Sequence, residues 1–175
     1  MEIERYQTIF EPIVKEGQTA MAVMEISTLK LYVGFDYRRD NVELAAAALR
    51  VKPGKCRSGI CIFNTPTACD AVKIARRYVP SGVDAVPMLH TLYWMLDPVK
   101  ELTCISQIMG QEASTWSASR WRSPCPDSSP WWRPSGRNTY SAGRGEQMLK
   151  SAGYELSKRY LRYMPCYTAV WEPRR

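Results

Sequence analysis

The chain has 175 residues, 45% of them hydrophobic, and carries a formal net charge of +7. That size and apolar content suit one domain with its own core plus an appendage, better than two domains. No apolar run approaches the ~20 residues of a membrane-spanning helix, and the charged start, MEIERYQTIF, lacks the apolar segment of a signal peptide.

Taken in order, Ile3, Tyr6, Phe10 and Ile13 recur at helical spacing and predict a short amphipathic helix, kinked or ended by Pro12, with Gly17 at its exit. Thr19 to Ile26 and Leu29 to Phe35 are rich in β-branched and aromatic residues and read as two strands or one long bent one. Asp40, with Glu43 three residues on, predicts the cap of an alanine-rich helix over Val42 to Arg50. Lys52 to Lys55 form a turn and Gly59 to Phe63 a buried strand. Asn64 to Thr67 offer caps for a helix whose apolar face is Val72, Ala75, Tyr78 and Val79. Val83 to Leu96 is apolar and interrupted by Pro87, which leaves helix or strand undecided. Asp97-Pro98 starts a helix carrying Val99, Leu102, Ile105 and Met109. This mixture predicts an α+β fold, a small mixed sheet packed with several helices, over residues 1–113. A parallel βαβ unit fits within it, from Leu29 through Ile62.

The stretch 114–145 is of another character. It contains no Leu, Ile, Val, Met, Phe, Lys or Glu, holds four of the six tryptophans, and is punctuated by four prolines. It predicts an irregular basic, aromatic arm. Residues 146–175 then read as a C-terminal helix from Glu146 to Met164, ended by Pro165, and a tail. Charge follows the same division. Up to Ala113 there are 13 basic and 13 acidic residues; beyond it, 11 basic residues face four acidic ones.

Excess arginine interleaved with aromatics is the pattern of a surface that meets phosphates and stacked bases. The candidate nucleic-acid contacts are Arg120, Trp121, Arg122, Trp131, Trp132, Arg133, Arg137 and Arg144, joined by Lys150, Tyr154, Lys158 and Arg162 as one stripe of the last helix. RNA or another single-stranded nucleic acid is the partner this implies, and the expected function is non-enzymatic binding. A bias toward Trp, Arg, Ser, Pro and Gly also arises where a reading frame overlaps another gene, which points toward a viral or ribonucleoprotein component. The alternative is a structural or accessory subunit whose arm docks on a neighbouring protein or a second copy of the chain, since Trp and Arg also anchor protein interfaces.

Catalytic signals are sparse. Neither GxGxxG nor GxxxxGK[ST] is present, so no nucleotide-binding loop is indicated and no cofactor is expected. The six cysteines form no CxxC pair, and with one histidine they match no zinc pattern, so no metal site is expected. Asp36 and Asp40 follow a predicted strand, as metal-binding carboxylates do, but a turn residue and a helix cap explain them more simply. His90, amid apolar neighbours, reads as a core residue; pairing with a cysteine would make a weaker, third alternative, a Cys/His-dependent enzyme. A chain with this much core does not need a disulfide scaffold. An intracellular protein of the cytoplasm or nucleus, with reduced thiols, is the expectation.

Overall fold

In a computed structural model, residues 6–25, 28–89, 91–120, 142–161 and 166–174 are described. Their strands form one eight-stranded sheet. In chain order the elements are β1 (Thr8–Pro12), α1 (Gln18–Met24), β2 (Leu31–Asp36), α2 (Arg39–Ala48), β3 (Cys56–Arg57), β4 (Ile60–Asn64), α3 (Ala68–Ala75), β5 (Val83–Leu89), α4 (Pro98–Ser106), β6 (Met109–Arg120), α5 (Ala142–Ser151), β7 (Tyr154–Leu161) and β8 (Cys166–Pro173). The strand order is β3-β4-β2-β1-β5-β6-β8-β7.

From β4 to β6 the neighbours are parallel, with Phe10 opposite Val33 and Val33 opposite Cys61. Strand β8 enters antiparallel between β6 and β7, placing Trp116 opposite Val170. The short β3 closes the other edge as an antiparallel ribbon on β4. This corrects the expected α+β arrangement. The fold is α/β, a mostly parallel sheet covered on both faces, and the expected βαβ unit is one of several repeated along the chain.

Alternation along the strands shows the two layers. Phe10, Val33, Cys61 and Val86 face one core, with Ala71 and Val72 of α3, Leu102 and Ile105 of α4, and Leu149 of α5. Ile9, Tyr32, Ile62 and Ala85 face the other, with Ala20 and Val23 of α1 and Val42 and Ala45 of α2. A strand buried on both faces has no polar face, so its apolar run carries no period of two. That is why β1 read as a helix: Ile9, Phe10 and Ile13 are all buried, and the apparent helical spacing was incidental. Conversely, Ala20 and Val23 lie three apart on the buried side of α1, so Thr19 to Met24 is helical despite its β-branched residues.

The caps were better guides. Thr67 accepts from the Asp70 amide, and Asp97 from the Lys100 amide, at the starts of α3 and α4. Helix α2 departs in detail. It starts after Arg38, which provides no side-chain cap, and Asp40 lies in its first turn.

Past residue 113 the differences grow. Residues 114–120 lie inside the sheet as the second half of β6, between β5 and β8. The helix expected over 146–164 ends at Ser151. Gly153, at φ 87°, turns the chain, and Tyr154 to Leu161 become β7. Four cysteines expected as thiols are bonded: Cys56 to Cys61 across the β3–β4 ribbon, and Cys69 to Cys104, which ties α3 to α4 with Cα atoms 5.2 Å apart.

Candidate functional site at the carboxyl edge of the sheet

β1 sits where the strand order reverses: β2 follows it to one side and β5 returns on the other. At such a point the loops leaving adjacent strands diverge and open a crevice outside the carboxyl ends, the place where open α/β sheets bind ligands. The chain supplies that crevice with the turn after β1 and the ends of β2, β4 and β5.

The turn after β1 is held from both sides. Val14 donates its amide to Phe35 O at 3.0 Å, and Lys15 donates its amide to Asp36 Oδ2 at 3.0 Å. On the β5 side, the Thr91 hydroxyl donates to Pro12 O at 3.3 Å. Gly34 is required beneath this turn, because a Cβ there would collide with Val14 Cγ1. Gly17, at φ 83°, ends the turn and lets α1 pack against Ala45 of α2.

Ile13 at φ 66° and Lys15 at φ 50° also hold left-handed backbone, and neither is glycine. A β-branched residue in that region is an outlier costing about 1–2 kcal/mol. Ile13 is retained because its side chain is buried in the core with Phe10 and Phe35. Strained backbone of this kind concentrates at ligand-binding turns. It also explains why no glycine-rich pattern marks the turn: two of its three left-handed positions, Ile13 and Lys15, bear side chains.

Two carboxylates end the strands beside the turn. Asp36, 1% exposed, accepts the Arg38 amide on Oδ1 at 2.8 Å and Asn41 Nδ2 on Oδ2 at 3.2 Å, besides the Lys15 amide. Glu11, 3% exposed, accepts the Tyr32 hydroxyl. Burial pushes the Glu11 carboxyl up to about 7, against the opposing pull of the Tyr32 and Thr19 hydroxyls and Lys15. Burial likewise lowers the half-buried Lys15 ammonium and raises the Tyr32 phenol, the latter helped by the Glu11 charge. At the end of β4, Asn64 Nδ2 donates to Asp36 O at 2.9 Å and to Tyr37 O at 3.1 Å. Behind them, buried Glu101 accepts the Tyr37 hydroxyl, the Ala68 amide at 3.1 Å and the Leu96 amide at 3.0 Å. That one side chain joins the starts of α3 and α4 to the end of β2.

Of the residues singled out from the sequence, the described ones are spread over β6, α5 and β7. Arg120 ends β6, opposite Cys166 of β8. Trp121, Arg122, Trp131, Trp132, Arg133, Arg137 and Arg162, like His90, lie outside the described residues. Arg144 is exposed on α5 and reaches Gln147 Oε1 at 3.0 Å; Lys150 is exposed on the same helix. Lys158 is exposed on β7, whereas Tyr154 is fully buried and donates its hydroxyl to Leu102 O at 3.0 Å. The helical stripe expected through Lys150, Tyr154 and Lys158 is therefore replaced by a helix, a turn and a strand. Among the described residues no group of acidic, His or Cys side chains is placed to hold a metal ion, and no helix is long and apolar enough to cross a membrane.

No family model and no curated protein sequence matches the chain, but solved structures do. A SAM-dependent methyltransferase from Aquifex aeolicus superposes with a TM-score of 0.70 at 13% identity, covering 94% of this chain and 81% of that one. A proposed methyltransferase of Haloferax volcanii, in complex with the Trm112 activator, gives 0.71 at 13% identity over 99% and 86%. The [4+2]-cyclase SpnF gives 0.66 at 16% identity, over 88% of this chain and 54% of that one. The fold is thus the Rossmann-like one of these enzymes. These likenesses overturn the expected non-enzymatic RNA-binding role of a viral or ribonucleoprotein component: the fold neighbours are methyltransferases and a cyclase, and the stretch expected to be an arm begins as an interior strand.

Proposed function

We propose that this protein is a methyltransferase that takes its methyl group from S-adenosylmethionine. The observation that carries the reading is the position of Glu11 and Asp36: two buried carboxylates at the ends of adjacent strands, beside a strained turn, at the reversal point of the sheet. The donor set suits this ligand. S-adenosylmethionine carries a sulfonium and an ammonium, for which carboxylates are the matching partners, and ribose hydroxyls that carboxylates also accept. Glu11 is served by the Tyr32 and Thr19 hydroxyls and by a Lys15 ammonium that Glu16 and Asp36 also draw on, which leaves negative charge in the crevice for a cationic ligand to match. The departure from a glycine-rich turn at Ile13 and Lys15 does not block the crevice on the Ile13 side, because that side chain points into the core.

When bound, the group supplies an electrophilic methyl carbon to an acceptor nucleophile. The chain's own part is to bind and orient. Asp36 holds the β1 turn in register with β2, Glu11 provides negative potential beneath the crevice, and Thr91 fixes the β5 side. Positioning of this kind is a recognised source of rate in a bimolecular transfer. The Haloferax neighbour was solved with an activator protein; an accessory protein is the kind of partner this reading carries, in place of RNA.

Thermal denaturation with S-adenosylmethionine is the direct test. At 100 times Kd a ligand specific to the folded state adds about 2.7 kcal/mol. For a chain of this length that is a rise in Tm of about 5–10 °C. No shift with S-adenosylmethionine or S-adenosylhomocysteine at millimolar concentration would remove the reading.

A further inference from the structure

One wall of the crevice, from the end of β4 into α3, is covalently bonded at both ends. Cys61 is joined to Cys56 across the β3–β4 ribbon, and Cys69 to Cys104 of α4. Between the two bonds lie the groups that meet the end of β2. Asn64 Nδ2 donates to Asp36 O and Tyr37 O, and the Thr65 amide donates to Asp36 O at 3.3 Å. The Ala68 amide donates at 3.1 Å to buried Glu101, the same carboxylate that takes the Tyr37 hydroxyl. The surroundings of the two bonds differ. Cys56 is exposed, but Cys61 is fully buried in the core with Val33 and Phe63. Cys69 and Cys104 are both half-buried, and Cys69 is the second residue of α3.

We propose that Cys69–Cys104 is a thiol–disulfide exchange site, open to a dithiol reductant, that sets how firmly this wall of the crevice is held, while Cys56–Cys61 is a fixed staple. In exchange, a thiolate attacks one sulfur and the other leaves as a thiolate, faster when the leaving thiol is the more acidic. At Cys56–Cys61 the exposed residue is Cys56. Attack there would expel the Cys61 thiolate into an apolar core, where desolvation disfavours it. At Cys69–Cys104 either residue can be approached from solvent. Attack on Cys104 Sγ sends the electron pair of the S–S bond to Cys69 Sγ, in the first turn of α3, where the helix dipole favours a thiolate. The carboxylate of that turn, Asp70, is paired with Lys73 at 3.0 Å. The reductant's second thiolate then attacks its own sulfur in the mixed disulfide and releases Cys104. Both cysteines take up protons and the reductant closes to a disulfide, two electrons having passed to the protein. Lys100 O, 4.0 Å from Cys69 Sγ, is an acceptor for the new thiol. With the bond open, the start of α3 is held to α4 by Glu101 and by apolar packing. A ligand that needs this wall in place must then order it on binding, so its affinity falls. For the methyl donor, this last step rests on the reading of the crevice as its site.

Thiol trapping reads the exchange site without any ligand. The full chain is incubated with dithiothreitol, alkylated at intervals, and its modified cysteines are assigned by peptide mass. Cys69 and Cys104 should become free together, about tenfold faster than Cys56 and Cys61. Amide hydrogen exchange across residues 61–70 should quicken in the selectively reduced chain, because the acceptors of the Thr65 and Ala68 amides are no longer held in place. S-adenosylmethionine should bind that chain about fivefold more weakly, near the lower end of coupling between sites. By reciprocity, saturating S-adenosylmethionine should make the bond about fivefold harder to reduce in a buffer of reduced and oxidised dithiothreitol. Cys104→Ser should bind as weakly as the reduced chain and no longer respond to reductant; if it does not fold, the selectively reduced parent carries the same comparison. Opening of Cys56–Cys61 first, or at the same rate, overturns the inference, as does unchanged hydrogen exchange across 61–70 or an affinity indifferent to reduction. Failure of the oxidised chain to bind S-adenosylmethionine at all, with the order of opening and the quickened exchange intact, removes the methyl-donor reading and leaves the exchange site standing.

Discussion

The main-chain amide of Lys15 donates to Asp36 Oδ2 at 3.0 Å and so fastens the turn leaving β1 to the end of β2. The same carboxylate takes the Arg38 amide and Asn41 Nδ2, so three donors converge on a group that water scarcely reaches. Hydrogen bonds to a charged acceptor contribute about 1.5–3 kcal/mol each, and a donor left unmet is costly. Asp36→Asn replaces one acceptor oxygen with a donor facing donors. It should lower stability by about 2–4 kcal/mol in urea denaturation and weaken S-adenosylmethionine binding beyond that loss. A variant as stable as the parent would mean that the turn is held by Val14 and Thr91 alone.

Glu11 gives the fold a pH dependence of its own, apart from any ligand. The unfolded chain loses this proton near the ordinary 4.5, and the folded chain keeps it to about 7. Between those values the native state binds more protons, so stability falls as pH rises through the window. Below 4.5 both states are protonated and nothing is lost; above 7 the full penalty, about 3 kcal/mol, is in place. Tm should therefore decline from pH 5 to pH 7.5, whereas Glu11→Gln should be nearly flat across it. A parent curve that rises through the window would show that Glu11 is ionised in the folded state.

How much of this was open to reading depends on where the physics is local. Thr67 and Asp97 announce their helices because a cap is made within three residues. The β2–α2–β4 unit was legible for the same reason, its turn and helix being written in adjacent residues. β1 was not, since its partners at Leu31 to Phe35 and Ala85 are distant in sequence and erase its polar face. Tyr154 shows the same limit more sharply. Its spacing from Lys150 and Lys158 mimics a helical stripe, yet pairing with Pro173 and a hydrogen bond to Leu102 decide its place. The crevice was hidden because the left-handed positions that mark it are Ile13 and Lys15. Only the φ angles reveal them.

The bond between Cys69 and Cys104 should matter to stability more than its half-buried position suggests. It joins α3 to α4 across 35 residues, a loop that includes β5. Removing a crosslink of that span from the unfolded chain restores entropy worth about 3–4 kcal/mol in the chain-entropy model. Cys69→Ser should shift the denaturant midpoint by that order, and a dithiol reductant should do the same to the parent. Peptide mapping without reductant should recover Cys69 joined to Cys104. An unchanged midpoint under reductant, with the thiols shown to be free, would assign the α3–α4 contact to packing and to Glu101.

The end of α2 offers a test in the stabilising direction. Val51 donates its amide to Ala46 O at 2.9 Å and Arg50 donates its amide to Ala47 O at 3.1 Å. This pair of bonds closes a helix with a left-handed residue just beyond the cap. That residue is Arg50, at φ 55° and exposed. Glycine takes this conformation without a Cβ clash, and an ordinary residue there costs about 1–2 kcal/mol. Part of that gain is offset, because glycine also frees the unfolded chain. Arg50→Gly should therefore raise stability by about 0.5–1 kcal/mol, or Tm by about 1–4 °C. Arg50→Val should lower stability, since a β-branched residue fits the left-handed region worst. Arg50 lies at the far end of α2 from Asp36, so neither change should alter ligand affinity. Loss of stability in Arg50→Gly would show that the arginine side chain contributes a surface interaction larger than the strain it carries.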